Sequence, residues 1–479
     1  MNETTTQYRR VHPVLLALAA ASSCVNTLFV ILMTFASYIA TGVYGATAVL
    51  AGTILTGSRM FDAVTDPLIG LLTDRISTRF GRCRPLAVVG YVVTALAVLA
   101  MFVICPGKGK IGVFVLLYLL YIVGYTLFSV GNNMIGPIIT NDPKQRPIFG
   151  RWLSVYVTIL STMFSVVLSK TLMPKHGYQL GLPLFKDLAW IVVIAGAVLL
   201  AISIVAVSVA KADRPENYVN VKTEKVGFRD MVNLLSKNRP MQMYTIAAAS
   251  DKLALQTASQ SSITVMVFGI VIGNYSFNGE ISIYNMFVTL IMLFVAAKLA
   301  GDRGMKRAII FWTRLAIVGY AVMFFFMLLT DTLSITTVGY LRTAFIVLFC
   351  AMNALRMATT CVTDPLRYDV IDYEFTRTGA YMPAVVNTVY AFIDKLISSL
   401  ATTIVAVAVS TIGYVNAMPQ ATDPYSQPVF FVAMFLWLGM PVLGYVCTLI
   451  AMRFYTLDKE TMAEVQKTCA QMRAAKSDS

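Results

Sequence analysis

Charged residues are scarce in this sequence: only 13% of its 479 residues are Asp, Glu, Lys or Arg, whereas 57% are hydrophobic. Soluble globular proteins carry about 25% charged residues. Histidine is scarcer still, with only His12 and His176, and the chain contains no HExxH or GxSxG pattern. The composition excludes a cytosolic enzyme and a disordered scaffold. The missing motifs argue against a membrane enzyme as well.

Paired cysteines are also lacking. The seven cysteines are an odd number, are widely scattered and form no CxxC motif. This pattern supports neither a disulfide framework nor a metal site, so we expect buried thiols. The net charge of +14 would suit a nucleic-acid partner only if the basic residues clustered on a polar domain. They lie between long apolar runs instead, and we expect no nucleic-acid partner.

Long apolar runs dominate the chain and predict an all-α membrane protein. A spanning helix needs about 20 mostly apolar residues, and its backbone polar groups must be satisfied within the segment. The first run exceeds the roughly 7–15 residues of a signal-peptide core, so we treat it as a membrane helix. Twelve helices are predicted, over residues 14–40, 45–73, 85–105, 111–139, 149–170, 187–210, 242–272, 281–300, 308–330, 333–358, 380–410 and 429–453.

The loops between these segments predict the orientation. Most of the 38 lysines and arginines, Arg356 included, fall in loops and ends that would be cytoplasmic if both termini were. The opposite loops carry few basic residues, namely Lys108, Lys110, Lys170, Lys175 and Lys186. Because basic loops stay in the cytoplasm, we predict a multi-pass protein of the cell membrane with both termini cytoplasmic.

A polar stretch at 211–240 predicts the domain organisation. It separates a six-helix bundle at 1–210 from a second bundle at 241–455, and a cytoplasmic tail follows at 456–479. The patterns Asp74-Arg75-x-x-x-Arg79 and Asp302-Arg303-x-x-x-Arg307 follow helices 2 and 8 respectively, which are corresponding positions in the two halves. Two related bundles around a central cavity are typical of transporters.

Ionisable residues inside helix 2 form the richest candidate site. Arg59, Asp62 and Asp66 are spaced i, i+3, i+7 and therefore share one helix face. Each costs about 2.5–3.5 kcal/mol at mid-membrane, which makes a functional role the first hypothesis. The two carboxylates and the Thr65 hydroxyl are hard oxygen ligands that suit a small cation, Na⁺ if the protein is sodium-coupled. Alternatively, Arg59 only neutralises one aspartate.

Two further helices carry charges. Asp394 and Lys395 lie midway along helix 11, about 100° apart, so we expect separate partners. Lys395 either reaches the helix 2 aspartates and couples the two halves, or the pair only fixes helix packing. In helix 7, Lys252 and Gln256 share a polar face after Asp251. That face either lines water or a hydroxylated ligand, or lets its charges reach the membrane surface.

Polar side chains of helices 1 and 4 are candidate solute ligands. Helix 1 contributes Asn26, and helix 4 contributes Tyr125, Thr126, Ser129 and Asn133. Amides and hydroxyls can hydrogen-bond the rim of a sugar, and an aromatic ring can stack on its apolar face. Small polar residues also hold membrane helices together, so packing is the alternative for each of them.

The predicted loop between helices 10 and 11 is rich in charge, with Asp364, Asp369, Asp372 and Glu374 interleaved with Arg367 and Arg377. These acids can pair with Arg75, Arg79 or Arg146 of the first half. Such pairs would close the cytoplasmic side and break when it opens, in a shift between two discrete arrangements. The alternative is a solvated charged loop.

Four motifs together resemble a known family. They are RMFDAVTDPLIGLLTDRISTRFGRCRP at 59–85, YTLFSVGNNMIGP at 125–137, RYDVIDYEF at 367–375 and RFYTLDKETMAEVQ at 453–466. The chain is similar to the glycoside–pentoside–hexuronide:cation symporters, the branch of the major facilitator superfamily that includes melibiose permease. The resemblance implies twelve helices in two pseudo-symmetric six-helix bundles and Na⁺- or H⁺-coupled symport of a sugar or glycoside by alternating access. It implies no cofactor, and we expect a functional monomer embedded in lipid.

The resemblance also implies roles for single residues. It assigns Asp62, Asp66, Thr65 and Thr126 to the coupling ion, Lys395 to communication between ion and solute, and Arg146, Asp369 and Asp372 to the cytoplasmic gate. Arg151 matches a basic solute ligand early in helix 5, although its spacing from Arg146 is shorter than in the family.

Three departures from the family pattern affect the solute site. Asn26 and Ser129 stand where the family pattern has aspartates, and Asn133 stands where it has a tryptophan. Losing two carboxylates removes repulsion toward an anionic ligand. The alternative function is therefore symport of a related non-sugar, anionic or amphiphilic solute, such as a uronide, a sulfonated sugar or a lysolipid.

Overall fold

A computed structural model describes residues 10–74, 78, 81–107, 110–140, 142, 145–214, 228–379 and 383–477. The side chains of Asp66 and several neighbours at the end of the second helix lie outside that description. Within the described ranges all secondary-structure elements are helices. The one β-bridge there is isolated and joins Thr78 to Gly81. The prediction of an all-α protein is confirmed.

The chain forms two compact units. Unit 1 comprises Met1–Val221 and the short segment Gly413–Met418, whose Val415 carbonyl accepts a hydrogen bond from the Ala48 amide. Its long helices are α1 (Pro13–Gly42), α2 (Ala48–Asp74), α3 (Cys83–Ile104), α4 (Lys110–Ile139), α5 (Arg146–Val167) and α6 (Leu182–Val209).

Unit 2 comprises Lys222–Ile412 and Pro419–Ser479. Helix α7 is broken rather than continuous as predicted: Arg239–Ala258 is followed, after a 52° bend, by Ser261–Val271. The other long helices are α8 (Ser276–Arg303), α9 (Met305–Leu329), α10 (Gly339–Thr363), α11 (Pro383–Thr411) and α12 (Gln427–Phe454).

These helices are long enough to cross a bilayer. Among the described residues, nine helices are individually long and apolar enough to span, and the bent α7 makes ten. Helices α2 and α8, with 27 and 28 residues, complete the set of twelve. At 1.5 Å per residue each of the two is about 40 Å long, more than the roughly 30 Å hydrocarbon core.

Large apolar side chains cover the outside of the helices. Leu116, Val205 and Leu329 are 67%, 60% and 83% exposed. On a water-soluble protein such a surface would be an aggregation liability, whereas lipid tails solvate it. The chain is therefore a multi-pass membrane protein.

The end of the tenth span differs from its prediction. The predicted span ended at residue 358, and Arg356 near its end was counted with the cytoplasmic basic residues, but α10 continues to Thr363. The loop helix, Leu366–Thr378, then follows and ends at Gly379, whose φ of 73° suits glycine. Hydropathy failed here because the polar side chains of this stretch line a cavity, so they are not exposed to lipid.

The predicted tail is a folded part of unit 2. The tail helix, Lys459–Ser477, packs on the loop helix. Met462, Val465 and Cys469 of the tail helix join one buried cluster with Val370 and Phe375 of the loop helix. The predicted central loop also contains a helix, over Phe228–Lys237.

All seven cysteines are free thiols. Four of them are buried, as expected, and two are half-buried. Cys447 is exposed on α12, so the expectation of burial is wrong at this position. A free thiol behaves as a small hydrophobic group, which lipid tolerates.

Candidate functional site

The first candidate site lies in unit 1, where α2 and α4 carry polar side chains toward each other. The Thr126 hydroxyl of α4 donates to the Asp62 carboxylate of α2 over 2.9 Å. Thr65 donates to the backbone carbonyl of Asp62 over 3.3 Å, which keeps its oxygen one helical turn from that carboxylate. The structure thus places two of the four predicted ion ligands, Thr126 and Asp62, in contact, and Thr65 lies on the same helix as Asp62. The side chain of the fourth, Asp66, lies outside the described residues.

The predicted solute ligands continue along the same face of α4. Ser129 follows Thr126 by three residues, and its hydroxyl donates to the Asn26 side-chain oxygen of α1 over 3.0 Å. Asn133, one further turn along, is exposed. Tyr125 is half-buried beside Thr126. Residues predicted to bind ion and solute are therefore neighbours on one helix.

An aromatic column precedes this face, and only its last member was predicted as a site residue. Phe114, Tyr118, Tyr121 and Tyr125 follow each other with ring centroids 5.8 Å apart at each step. Their spacing of four, three and four residues is a helical stripe that a search for aromatic periodicity would have found. The predicted charge Arg59 lies near this column, close to Tyr118.

The second candidate site is a cavity of about 220 Å³ inside unit 2. Lys252 lines it, as the polar face of helix 7 predicted, whereas Gln256 lies outside its lining. Asp251 also lines the cavity and accepts a hydrogen bond from the Thr448 hydroxyl of α12 over 2.8 Å. Trp437 contributes an aromatic wall from a π-helical turn of α12.

Arg356 is the cavity residue that sequence reasoning assigned wrongly. It was counted as a basic residue of a cytoplasmic loop, but it lies within α10 and lines the cavity. The rings of Tyr320 and Tyr445 pack edge to face, with centroids 5.5 Å apart, in the field of its guanidinium. The position of an arginine at the end of an apolar run is ambiguous in sequence. The same pattern fits an arginine in the following loop and an arginine that lines a cavity from within the helix.

The charged pair of α11 has an environment within unit 2. The Asp394 carboxylate lies near Tyr390 and near Lys252 of α7. One of its oxygens, Oδ1, is buried and lacks a hydrogen-bond partner among the described residues. The expectation of separate partners for Asp394 and Lys395 stays a prediction.

The predicted gate residues are described only in part. Arg75 and Arg79 lie outside the described residues, and the Arg146 guanidinium donates to the Thr140 carbonyl over 3.4 Å. Asp369 and Asp372 lie three residues apart on the loop helix. Their pairing with the first half stays a prediction.

Glu374, expected in the same acidic loop, cannot take part in a gate from its position. It is 2% exposed, and both of its oxygens accept from Arg377, over 2.7 and 2.9 Å. The Asn238 amide donates to it over 2.7 Å. A charge this fully paired is structural, so the expectation of a solvated or gating group is wrong here.

The last predicted solute ligand, Arg151, is exposed on α5 beside Trp152. No group of three or more His, Cys, Asp or Glu side chains that could hold a metal ion occurs in the described part of the chain. Since the Asp66 side chain lies outside that part, the predicted sodium site stays a prediction.

Comparison with known proteins agrees with a transporter architecture. Residues 17–459 match a family model described as MFS/sugar transport protein. The chain is 24% identical to the isoprimeverose transporter of Lactiplantibacillus pentosus, over 95% of this chain and 91% of that protein. It is also 24% identical to the putative glycoside/cation symporter YagG of Escherichia coli K12, over 92% and 91%. The crystal structure of the nucleoside transporter NupG is similar with a TM-score of 0.59, at 14% identity, over 93% of this chain and 99% of that one.

Proposed function

Because the chain belongs to the MFS/sugar transport protein family, we propose that it is a cation-coupled symporter of a sugar or glycoside that works by alternating access. Its twelve spanning helices in two units are the major facilitator fold, and its solute is a small molecule. The names of its relatives, a transporter of isoprimeverose and a putative glycoside/cation symporter, support the sugar and the coupling ion.

The hydrogen bond between Thr126 and Asp62 carries the proposal. It joins α2 and α4 at a carboxylate within the membrane, where an ionised group is costly unless it has a partner. Asp66 follows Asp62 by four residues, a spacing that predicts one shared helix face. We assign the coupling ion, Na⁺ or H⁺, to Asp62, Asp66, Thr65 and Thr126.

The solute site is proposed next to this ion site. Asn26 and Ser129 are joined by a hydrogen bond one turn along α4 from Thr126, and a bound hydroxyl group could exchange with it. Tyr125 offers an aromatic face for the apolar side of a sugar ring. We propose Asn133, Arg151, Lys252 and Gln256 as further polar contacts; Arg151 is exposed, and Gln256 lies outside the lining of the unit 2 cavity.

The remaining predicted charges are proposed to couple and gate the transport cycle. Arg59, Lys395 and Asp394 would adjust to the occupancy of the ion site. Arg75, Arg79 and Arg146 would pair with Asp369 and Asp372 when the cytoplasmic side is closed. This assignment depends on the orientation predicted from the basic loops, with both termini in the cytoplasm of a cell-membrane protein. We propose that the protein acts as a monomer.

Uptake of radiolabelled glycosides into vesicles, driven by an imposed Na⁺ or pH gradient, tests the proposal. We expect Asp62→Cys to abolish accumulation, because a carboxylate ligand is lost. Thr126→Val removes one hydrogen bond to a charged group, worth about 1.5–3 kcal/mol. The cation concentration for half-maximal uptake should therefore rise about tenfold or more.

The matched control is Thr158→Val. The Thr158 hydroxyl is bonded to the Ser154 carbonyl of its own helix, α5, over 2.8 Å, outside the proposed ion site. Its cation dependence should equal that of the wild type. If Asp62→Cys concentrates solute as well as the wild type does, the assignment of the ion site is wrong.

A further inference from the structure

Unit 2 contains a carboxylate that the proposed transport site does not use. Asp251 of α7 lines the cavity of unit 2 and accepts one hydrogen bond, from the Thr448 hydroxyl over 2.8 Å. Within the described part of the chain no lysine, arginine or histidine nitrogen lies within 4.0 Å of it, unlike the paired Asp142, Asp213 and Glu374.

Close helix packing holds Thr448 against this carboxylate. A Cβ at Gly444 would lie 2.9 Å from the Ala254 Cβ and 3.0 Å from the Ser250 carbonyl oxygen, so only glycine allows α7 and α12 to approach this closely. Thr448 follows one turn later on α12 and is fully buried. The single hydroxyl proton of Thr448 cannot satisfy two carboxylate oxygens.

Several titratable groups share the cavity with Asp251. The rings of Tyr445 of α12 and Tyr320 of α9 pack edge to face and lie near both Asp251 and Arg356 of α10. The other charged or titratable cavity residues are Lys252, Asp364 and Tyr390. Arg367 of the loop helix faces α7 at Tyr244, about two turns before Asp251, and Asp394 of α11 lies near both Tyr244 and Lys252.

The surroundings suit a proton better than a solute. An ionised carboxylate at mid-membrane costs about 2.5–3.5 kcal/mol or more, and the neutral acid avoids much of that cost. The cavity of about 220 Å³ is smaller than the roughly 300–1,000 Å³ of small-molecule sites. A cavity of this size has room for several waters, which can carry a proton to the carboxylate.

We propose that Asp251 is a proton-binding site in unit 2, separate from the ion site assigned to Asp62 and Asp66 in unit 1. A cavity hydronium transfers its proton to the carboxylate oxygen Oδ2, while Thr448 keeps its bond to Oδ1, and the hydronium becomes water. The neutral acid can donate a hydrogen bond that the carboxylate cannot. The summed charge of Asp251, Lys252, Arg356 and Asp364 is zero when all four are ionised. Protonation of Asp251 changes this sum to +1, so proton binding and the binding of a charged group in the cavity affect each other.

Infrared titration of the purified full-length protein tests this proposal without requiring a solute or transport. The wild type should show the carbonyl band of a buried carboxylic acid that disappears as the pH is raised. Asp251→Asn should lose that band and take up one proton fewer in a potentiometric titration. The matched control, Asp331→Asn, makes the same chemical change at an exposed aspartate just after the C-terminal end of α9. This variant should keep the band.

Thr448→Val covers the case in which Asp251→Asn does not fold. Removing the hydroxyl donor should shift the acid band in a variant that is otherwise isosteric. The proposal is overturned if Asp251→Asn folds and titrates as the wild type does, or if Thr448→Val leaves the band unmoved. A normal acid band together with unaltered Na⁺ dependence in Asp62→Cys would refute the unit 1 ion site and leave this proton site standing.

Discussion

The anchor between the start of α3 and the end of α6 offers the sharpest test of how unit 1 is held together. The Asp213 carboxylate, fully buried, accepts from the backbone amides of Arg82 and Arg84, each over 2.9 Å, and from the Cys83 amide over 3.4 Å. It also accepts from the Arg84 guanidinium over 3.1 Å. These groups are the unpaired donors of a helix N-terminus, where a negative charge is favourable.

Asp213→Ala should destabilise the protein by about 3 kcal/mol. Removing one partner of a buried ion pair costs about 3–5 kcal/mol, and the lower end applies because the Arg84 side chain is 26% exposed and can be hydrated. Asp213→Asn keeps an acceptor oxygen but loses the charge, so it should cost about 1–2 kcal/mol.

Gly81 tests the same anchor from its other side. Its φ of 93° favours glycine, and a Cβ built on it would overlap the Asp213 carboxylate. Gly81→Ala should therefore cost at least as much as Asp213→Asn, with about 1–2 kcal/mol coming from the backbone conformation alone. In the double variant with Asp213→Ala, the loss of stability should be smaller than the sum of the two single losses, because both changes disrupt the same contact.

Unfolding of the purified protein by SDS, followed by helical circular dichroism, measures these differences. Gly112→Ala is the matched control, since a Cβ there meets nothing within 4 Å. If Gly81→Ala and Asp213→Asn both unfold at the wild-type SDS concentration, the anchor does not stabilise unit 1, and the magnitude argued from burial is wrong.

Two further predictions concern unit 2. Gly444→Ala should force α7 and α12 apart and cost about 1–3 kcal/mol in the same SDS assay, and an unchanged midpoint would contradict the close packing. Hydrogen bonds from the amide and hydroxyl of Thr461 lower the pKa of Asp458 at the start of the tail helix. Because the folded pKa is depressed, this stabilisation is present above the unfolded value of about 3.9 and is lost as the pH falls through the folded pKa. Pepsin should cleave the tail helix more readily as the pH falls through the folded pKa of Asp458. The Asp458→Asn variant should already be more sensitive to trypsin than the wild type near neutral pH. Equal trypsin sensitivity of the two proteins would refute the stabilising role of Asp458 at this helix start.

Much of the candidate site in unit 1 was accessible from sequence because it depends on local geometry. The spacing of Asp62 and Thr65 on one helix, and of Thr126 and Ser129 on another, is set by 3.6 residues per turn. Intramembrane charge is rare enough that each instance is informative. The contact between Thr126 and Asp62 needed, in addition, the family resemblance or the structure, because 64 residues separate them.

The site in unit 2 was harder to predict from sequence, because it depends on contacts between residues that are far apart in the chain. Asp251 and Thr448 are 197 residues apart, and no local pattern marks Thr448 among the many small polar residues. Arg356 and Glu374 were misread because sequence gives the type of a residue and its helical phase, but not what lies on that side of the helix. Burial and pairing decided both.

By itself the sequence determined that the protein is helical, crosses a membrane many times and carries ionisable groups inside it. These conclusions follow from the length of apolar runs and from the need to satisfy backbone polar groups within each segment in lipid. Only the tertiary structure decided which charges are paired, that the tail is a packed helix, and that α7 and α12 enclose a carboxylate beside a cavity. Such features arise from side chains that are distant in sequence, whose contacts are set by how the helices rotate and approach one another.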